Sequence, residues 1–292
     1  MQALAIVMQR DEPSGGSLYL VGTPIGHLGD LSPRATALLR AADVIACEDT
    51  RHSGQLLSKL EARGRRLSFH QHNTRSRLPQ LLECLAEGQS VAVISDAGLP
   101  GISDPGEELV AAARDAGYPA ICIPGPCAAT TALVSSGLPS GRFCFEGFLP
   151  AKGRERQARL MDISREPKTT VLYEAPHRLV TLLEELKQHC GPTRPLQVAR
   201  ELTKRHEQQV GPTVEAALSH FRKTAPQGEC TVVLGGAVSE APEPLDDAAL
   251  LAQLTQLVSD GLSASDAARQ LAQTTGQSRR HLYALLHRNT AD

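Results

Sequence analysis

The residues best suited to ligand chemistry lie in a bare loop that follows an apolar, strand-like run. Residues 91–106 read VAVISDAGLPGISDPG, so the loop carries almost no bulky side chains. Such a backbone can approach a small ligand closely and offer it main-chain N–H and C=O groups. Its carboxylates, Asp96 and Asp104, favour a ligand with hydroxyls, an amine or a positive charge over a phosphate. An ordinary strand–loop–helix connection is the alternative interpretation.

Two further loops repeat this composition, GTPIGHLG at residues 22–29 and PGPCA at residues 124–128. Each follows an apolar run and precedes a helix-like pattern. Open α/β sheets bind ligands at such strand ends. Neither loop has the lysine-plus-hydroxyl ending of a P-loop or the spacing of a dinucleotide fingerprint, which argues against an ATP or NAD site.

The elements that must position these loops divide the chain into four segments. Residues 1–16 read as a flexible leader. Residues 17–123 alternate strand and helix signals, which predicts an N-terminal α/β domain with a mostly parallel sheet. Residues 124–240 predict a second α/β domain with a mixed or antiparallel sheet. Residues 241–292 predict a linker and a helical tail resembling a helix–turn–helix, which would contact nucleic acid or simply pack on the body or a partner subunit.

Composition narrows the class of protein. No apolar run approaches the length of a spanning helix, and the seven scattered cysteines lack ligand spacing, so we expect a cytoplasmic protein with reduced thiols, no membrane and no metal. The formal net charge is −2, but arginine greatly outnumbers lysine. An RNA partner would therefore meet a local arginine patch. Aromatic residues make up 3% and tryptophan is absent, which argues against a broad base-stacking platform.

Seven motifs, in order and without large gaps from about residue 18 to about residue 235, together resemble one known family. They are GTPIGHLGDLSPRA (22–35), ACEDTR (46–51), ISDAGLPGISDPG (94–106), IPGPCAATTAL (123–133), FEGFLPAKGRERQ (145–157), LYEAPHRL (172–179) and ARELTKRHE (199–207). The chain is similar to the ribosomal RNA small-subunit methyltransferase I family of the tetrapyrrole methylase superfamily. That resemblance implies S-adenosylmethionine as methyl donor and the ribose 2′-hydroxyl of a cytidine in the decoding region of 16S rRNA as acceptor.

The resemblance also implies a fold and a donor site. The fold would be that of a class III methyltransferase, two α/β domains with the donor in the cleft between them, here with a C-terminal helical segment. The donor-contacting positions carried over are Pro24, Asp96, Ala97, Gly98, Gly101, Cys127, Ala128, Tyr173, Glu174 and Leu202. Tetrapyrrole methylases usually have Gly-Gly-Asp where this chain has Asp-Ala-Gly at residues 96–98. The departure, with the basic loop at residues 152–156, favours RNA over a porphyrin. Family members often have serine where this chain has Cys127.

The acceptor hydroxyl is a poor nucleophile, so a base or cation close to it would help. The candidates are Glu48, Asp49 and Arg51, with Glu201 and Lys204 from the second domain. A structural ion-pair cluster or helix cap explains the first three equally well, and no unique base is identified. The predicted RNA-binding rim consists of Arg51, Arg75, Arg77, Lys152, Arg154, Arg156, Arg178 and Lys204.

Two other functions stay open at the level of sequence. One is methylation of a small tetrapyrrole-like substrate, which would need a wide apolar cleft with little basic lining. The other is a non-catalytic RNA-binding module that retains the donor loops structurally. The resemblance further implies a homodimer that acts on 16S rRNA or on the small ribosomal subunit.

Overall fold

A computed structural model describes residues 13–238 and 245–288. The described residues up to Ala237 form one compact α/β unit, and those from residue 245 onward belong to a separate helical unit. Within residues 13–237 the α/β unit contains two five-stranded sheets.

The first sheet is entirely parallel. Its strands are β1 (Leu18–Val21), β2 (Val44–Cys47), β3 (Arg65–Ser68), β4 (Val91–Ile94) and β5 (Ala120–Ile123). They lie in the order β3-β2-β4-β1-β5. Strands β2 and β4 are buried at every position, which explains their continuous apolar runs. This sheet confirms the parallel arrangement predicted from the alternating strand and helix signals.

Helices connect these strands and cover both faces of the sheet. They are α1 (Pro33–Ala41), α2 (Thr50–Lys59), α3 (Thr74–Ala86) and α4 (Glu107–Asp115). The side chain of Ser32 caps α1 by accepting the Ala35 N–H at 3.0 Å, with Pro33 at the first helical position. Because every connection is a parallel crossover, the loops after β1, β2 and β4 meet at one edge of the sheet.

The second sheet is mixed. Its strands are β6 (Phe143–Phe148), β7 (Thr169–Glu174), β8 (Leu196–Arg200), β9 (Gln208–Val210) and β10 (Cys230–Leu234). They lie in the order β6-β7-β10-β8-β9, and β6 and β7 are the parallel pair while the other pairs are antiparallel. The helices of this half are α5 (Ala128–Ser135), α6 (Arg154–Arg165), α7 (Pro176–Cys190) and α8 (Val214–Lys223).

Two apolar clusters lie on opposite faces of this second sheet. Helices α6, α7 and α8 bury one face, where Leu172 contributes from β7. Helix α5 and Ile25 of the first half cover the other face, where Val171 and Tyr173 contribute. Neighbouring residues of β7 thus point to different layers, as the two-residue period of a strand requires. The face that carries Tyr173 is the one that meets the first half.

The predicted leader is shorter than the sequence suggests. The Ser14 N–H donates to the Tyr19 hydroxyl at 2.9 Å, and the Gly16 N–H donates to the Gln89 carbonyl at 3.1 Å. These bonds fix the backbone before residue 17, so the flexible-leader prediction is wrong for residues 14–16. Its first 12 residues, and the predicted linker at residues 241–244, lie outside the described parts of the chain.

Within residues 245–288, the C-terminal unit consists of three helices with a core of their own. They are α9 (Asp247–Ser259), α10 (Ala264–Thr275) and α11 (Arg279–Arg288). Leu250, Leu254, Leu271 and Leu282 are buried in it. The His281 ring bonds the Asp247 carboxylate at 2.9 Å and joins the third helix to the first. The side chain of Arg288 lies outside the described residues.

Candidate functional site

A cavity of about 430 Å³ opens where the strands of both sheets end. The first half contributes residues that follow β1, β2, β4 and β5, and the second half contributes the last residues of β6, β7 and β8 and the first residues of β10. Most of the predicted donor positions line it: Asp96, Ala97, Gly98, Cys127, Ala128, Tyr173, Glu174 and Leu202. Pro24 lines a neighbouring cavity of about 310 Å³ instead. Gly101 belongs to the same loop as Gly98 but is not part of the lining.

The bare loops hold each other by backbone contacts. Thr23 and Gly98 exchange two hydrogen bonds, with N···O distances of 2.8 and 3.2 Å, and form an isolated bridge. Gly98 has φ +87°, and a Cβ there would lie 3.3 Å from a methyl group of Ile25. A Cβ on Gly22 would lie 2.7 Å from the Cα of Gly125. Glycine is therefore needed at residues 22 and 98, because the loops approach too closely for side chains.

Carboxylates dominate the polar lining of the cavity. The five that contribute are Glu48, Asp96, Asp104, Glu174 and Glu229. Burial, with the nearby charge of Glu48, raises the pKa of Asp104 to about 6. Burial also raises the pKa of Glu48, to which the charge of Asp96 adds. Mutual repulsion in a partly dry site of this kind is relieved by a cation.

Tyr173 fixes one wall of the cavity. Its hydroxyl oxygen accepts the Ala129 N–H at 3.1 Å at the start of α5, and burial raises its pKa above the ordinary value. The rings of Phe145 and Phe148 lie 5.0 and 5.5 Å from the Tyr173 ring, centroid to centroid. These contacts hold the Tyr173 ring against the start of α5 and the end of β6, where it forms one wall of the cavity.

The predicted catalytic residues Glu48, Asp49 and Arg51 do not line the cavity together. Only Glu48 lines the cavity. The Asp49 carboxylate accepts the Arg51 N–H at 2.8 Å, which caps α2, and pairs with the Arg51 guanidinium at 2.9 Å. This pairing lowers the pKa of Asp49 to about 2. The geometry of Asp49 and Arg51 is that of the helix cap and ion pair named above as the alternative interpretation.

Arg156 was predicted to bind RNA, and this prediction is wrong. The residue is 3% exposed. Its guanidinium donates from Nε to the Glu185 carboxylate at 3.0 Å and from Nη1 to the Pro150 carbonyl at 2.9 Å. A buried, fully paired guanidinium has no surface to offer a phosphate. Arg156 instead links the Pro150 carbonyl, just before the basic loop at residues 152–156, to Glu185 of α7.

The other predicted rim residues divide into two groups. Arg178 pairs with Glu174 at 3.1 Å, and Lys204 pairs with Glu201 at 3.0 Å and Glu229 at 3.2 Å, so part of their charge is already neutralised. Arg77 is partly buried and donates to the Gln80 side chain. The exposed members are Arg51, Arg75, Lys152 and Arg154.

Several lining residues escaped the sequence analysis, notably Ile25, Phe148, Glu229 and Thr231. The last two lie at the start of β10. Because β10 runs antiparallel to β7 and β8, its first residues lie beside the last residues of those strands. These cavity residues therefore lie at the start of a strand, whereas the sequence analysis searched only the residues after strand ends. Their place in the cavity follows from the order in which the strands pair.

Within residues 13–238 and 245–288, no group of three or more His, Cys, Asp or Glu side chains is arranged to hold a metal ion. In the same ranges, no helix combines the length and apolarity needed to cross a bilayer.

Comparison with family models divides the chain in the same way, into the α/β unit and the C-terminal helices. Residues 17–218 match the family described as Tetrapyrrole (Corrin/Porphyrin) Methylases, and residues 244–289 match the RsmI C-terminal HTH domain. The chain is 48% identical over 270 residues to the Ribosomal RNA small subunit methyltransferase I of Synechocystis sp., covering 92% of this chain and 97% of that one. It is 44% identical to the protein of the same name from Escherichia coli O157:H7, covering 78% and 80%.

Solved structures share the fold of the body. A uroporphyrin-III-C-methyltransferase from Thermus thermophilus is 25% identical with a TM-score of 0.54, covering 75% of this chain and 94% of that one. The cobalt precorrin-4 methyltransferase CbiF is 17% identical with a TM-score of 0.56, covering 75% and 95%. At that identity the second likeness concerns the fold alone.

Proposed function

Since the chain belongs to the ribosomal RNA small subunit methyltransferase I family of the tetrapyrrole methylases, we propose that it methylates a ribose 2′-hydroxyl of a cytidine in the decoding region of 16S rRNA. S-adenosylmethionine is the proposed donor. The observation that carries the proposal is the cavity of about 430 Å³ that bare loops and five carboxylates line. It has the size of a small-molecule site and a charge that suits a sulfonium and an ammonium group.

The chain's own groups fit the donor in three ways. The loop at residues 96–98 offers backbone N–H and C=O groups without bulky side chains. Asp96 presents a carboxylate that is itself held by the Asp49 N–H at 3.2 Å. Tyr173 and Leu202 supply apolar surface. The remaining proposed contacts are Pro24, Ala97, Gly98, Gly101, Cys127, Ala128 and Glu174. When bound, the donor supplies an activated methyl group.

Methyl transfer to oxygen depends mainly on alignment. The donor would supply its methyl group to the ribose oxygen, and the chain would have to accept the hydroxyl proton. We propose Glu48 as the acceptor of that proton; its position in the cavity lining and its raised pKa support this choice among the predicted catalytic residues. Asp49 and Arg51 support it by starting α2 directly after it.

The proposed RNA contacts are the exposed cations Arg75, Lys152 and Arg154. Arg51, which is exposed but pairs with Asp49, and the paired residues Arg77, Arg178 and Lys204 would contribute less. The C-terminal helices would add contact with RNA or the subunit rather than chemistry. We further propose that the protein acts in the cytoplasm as a homodimer. Sedimentation at micromolar concentration tests the assembly, and a strictly monomeric protein would contradict it.

The central test is incubation with S-adenosylmethionine labelled on the methyl group. We expect label in assembled small-subunit particles or in protein-free 16S rRNA, and mapping of the modified nucleotide to give one cytidine ribose. A uroporphyrinogen is the comparison substrate, and label there but not in RNA would favour the tetrapyrrole alternative. Donor binding without any transfer would favour the non-catalytic RNA-binding module. Asp96→Ala serves as the control that loses donor affinity in calorimetry.

A further inference from the structure

One large apolar side chain stands at the mouth of the donor cavity with much of its surface in solvent. Phe148 is the last residue of β6, lines the cavity, and is 55% exposed. Building on the proposed function, we infer that the Phe148 ring is a stacking platform for an unpaired base of the RNA substrate. It would hold the nucleotide beside the cavity while the phosphates stay outside.

A β-bulge gives Phe148 this direction. Phe145 pairs with Val171, whereas Gly147 pairs with Leu172 and Phe148 with Tyr173, so β6 contains one residue more than β7 over this stretch. In a regular strand Phe145 and Phe148 would point to opposite faces. The additional residue places both on the face of Tyr173, where each ring contacts it. Bulges commonly re-aim a side chain beside an active site.

The bulge depends on a glycine with little freedom to change. Gly147 has φ +59°, and a Cβ there would lie 3.1 Å from the Ser103 hydroxyl oxygen in the loop after β4. Without the bulge, Phe148 would point to the face of the second sheet that carries Leu172 and is covered by α6, α7 and α8. The conformation thus leaves a phenyl ring exposed at the mouth of the cavity, where a partner that covers it would remove apolar surface from water.

The ring is held firmly enough to act as a platform. The Tyr173 ring lies 5.5 Å away at a tilt of 58°, and Tyr173 is itself fixed by the Ala129 N–H. On the other side of Phe148, the Leu149 carbonyl accepts a hydrogen bond from Arg178 at 2.8 Å. The Phe148 backbone is therefore anchored between β7 and α7. Its exposed face is pre-ordered and loses little side-chain entropy on binding.

The neighbouring charges favour RNA over a second copy of the chain. Lys152 lies in the loop that follows Phe148 and Arg154 is the first residue of α6, and both are exposed. Cations attract phosphates, while the face of an aromatic ring accepts any base. In a two-fold interface centred on Phe148, the same basic loops of both copies would lie close together and repel.

The chain has no tryptophan, so a single substitution supplies a specific fluorescent probe. We would titrate Phe148→Trp with a short oligocytidylate RNA and with S-adenosylmethionine alone. The matched control is Phe143→Trp, at the other end of β6, because Phe143 is 41% exposed but does not line the cavity. We expect RNA to quench the emission of Phe148→Trp and to leave that of Phe143→Trp unchanged.

Three results would overturn the inference. Quenching by S-adenosylmethionine alone would assign Phe148 to the donor. An emission that changes with protein concentration, without RNA, would assign it to contact between two copies. RNA that binds in a filter assay without quenching Phe148→Trp would leave the ring uncovered. None of these readouts needs methyl transfer. A failure of the stacking inference can therefore be distinguished from a failure of the proposed methyltransferase activity.

Steady-state kinetics with the RNA substrate give an independent measurement. Phe148→Leu keeps the apolar bulk but removes the π face, and we expect KM for RNA to rise roughly 5- to 100-fold. Donor affinity should stay within twofold, and Phe148→Tyr should restore KM. A change in donor affinity of the same size as the change in KM, or an unchanged KM, would contradict the platform.

Discussion

The cavity and the surface beside it carry opposite charges. Five carboxylates line the interior, and two of them, Glu174 and Glu229, are paired with Arg178 and Lys204. Exposed cations follow the strands that supply the lining: Arg51, which pairs with Asp49, after β2, and Lys152 and Arg154 after β6. A cationic donor is attracted inward, and a polyanion is held at the surface. The comparison teaches that charge alone can direct the two proposed substrates to adjacent places, even though the whole chain is nearly neutral.

The largest expected effect is on stability, at Arg156, whose substitution tests whether this cation belongs to the buried interior or to the basic surface. Arg156→Ala should lower the free energy of unfolding by about 3–5 kcal/mol, because the Glu185 carboxylate, and the Glu174 carboxylate 3.9 Å from the guanidinium, would lose a buried partner. Arg154→Ala, two residues earlier on the exposed side of α6, should change it by less than about 0.5 kcal/mol. Urea denaturation measures both. Equal losses would mean that Arg156 belongs to the surface.

Gly98→Ala should obstruct the donor cavity while leaving the cations of the RNA-binding rim unchanged. The added Cβ meets Ile25 at 3.3 Å in a backbone conformation with φ +87°. We expect donor affinity in calorimetry to fall about tenfold or more, since overpacking of this kind costs roughly 1–3 kcal/mol. Gly117→Ala is the control, because Gly117 has φ +84° with no atom within 4 Å of a Cβ. It carries the same backbone strain, so a similar loss of donor affinity there would contradict the steric explanation.

Lowering the pH should weaken the attraction of the interior for a cation. Asp104, with a pKa of about 6, is charged at pH 7.5 and largely neutral at pH 5. We expect donor affinity to fall several-fold over that interval, and Asp104→Asn to flatten the dependence. Asp104 acts on stability in the opposite direction. The native state holds this proton more tightly than the unfolded chain, so its contribution to the free energy of unfolding falls as pH rises from about 4 to about 6. A donor affinity that does not change with pH in the wild-type protein would remove Asp104 from the binding energetics.

The rim gives the smallest effect. Arg154→Ala should weaken RNA binding a few-fold and reduce the slope of log affinity against log salt by about 0.7–0.9, the value for one phosphate. Arg222→Ala is the control, because Arg222 on α8 is similarly exposed but pairs with Glu184 at 2.8 Å. Filter binding over a range of salt concentrations gives both slopes. The same reduction in both variants would indicate a general charge effect.

The loops were predictable because their signal is local. Gly, Pro and Asp at the ends of apolar runs specify a bare turn whatever the rest of the chain does, and the mixed second sheet also followed from the pattern of its strands. Helix α8 was not predicted, although Val214, Ala217, Leu218 and Phe221 are buried at helical spacing and Thr213 caps the helix.

Arg156 shows a different limit. It lies four and seven residues before Leu160 and Ile163, on the buried stripe of α6, so the helical period carried the correct answer. The prediction considered only the positive charge of Arg156 and not its position on the buried face of α6. The role of Glu229 was harder to predict, because its place in the cavity follows from the pairing of β10 with β7 and β8, and no short sequence pattern specifies that long-range order.

The bridge between Thr23 and Gly98 has a kinetic consequence. Each backbone N–H is protected only while the other loop is in place, so neither loop can open to solvent alone without breaking both bonds. The two amides should therefore exchange their hydrogens with deuterium at one common opening free energy, although 75 residues separate them in the chain. A ligand that contacts only the loop after β4 would slow exchange in the loop after β1 to the same extent.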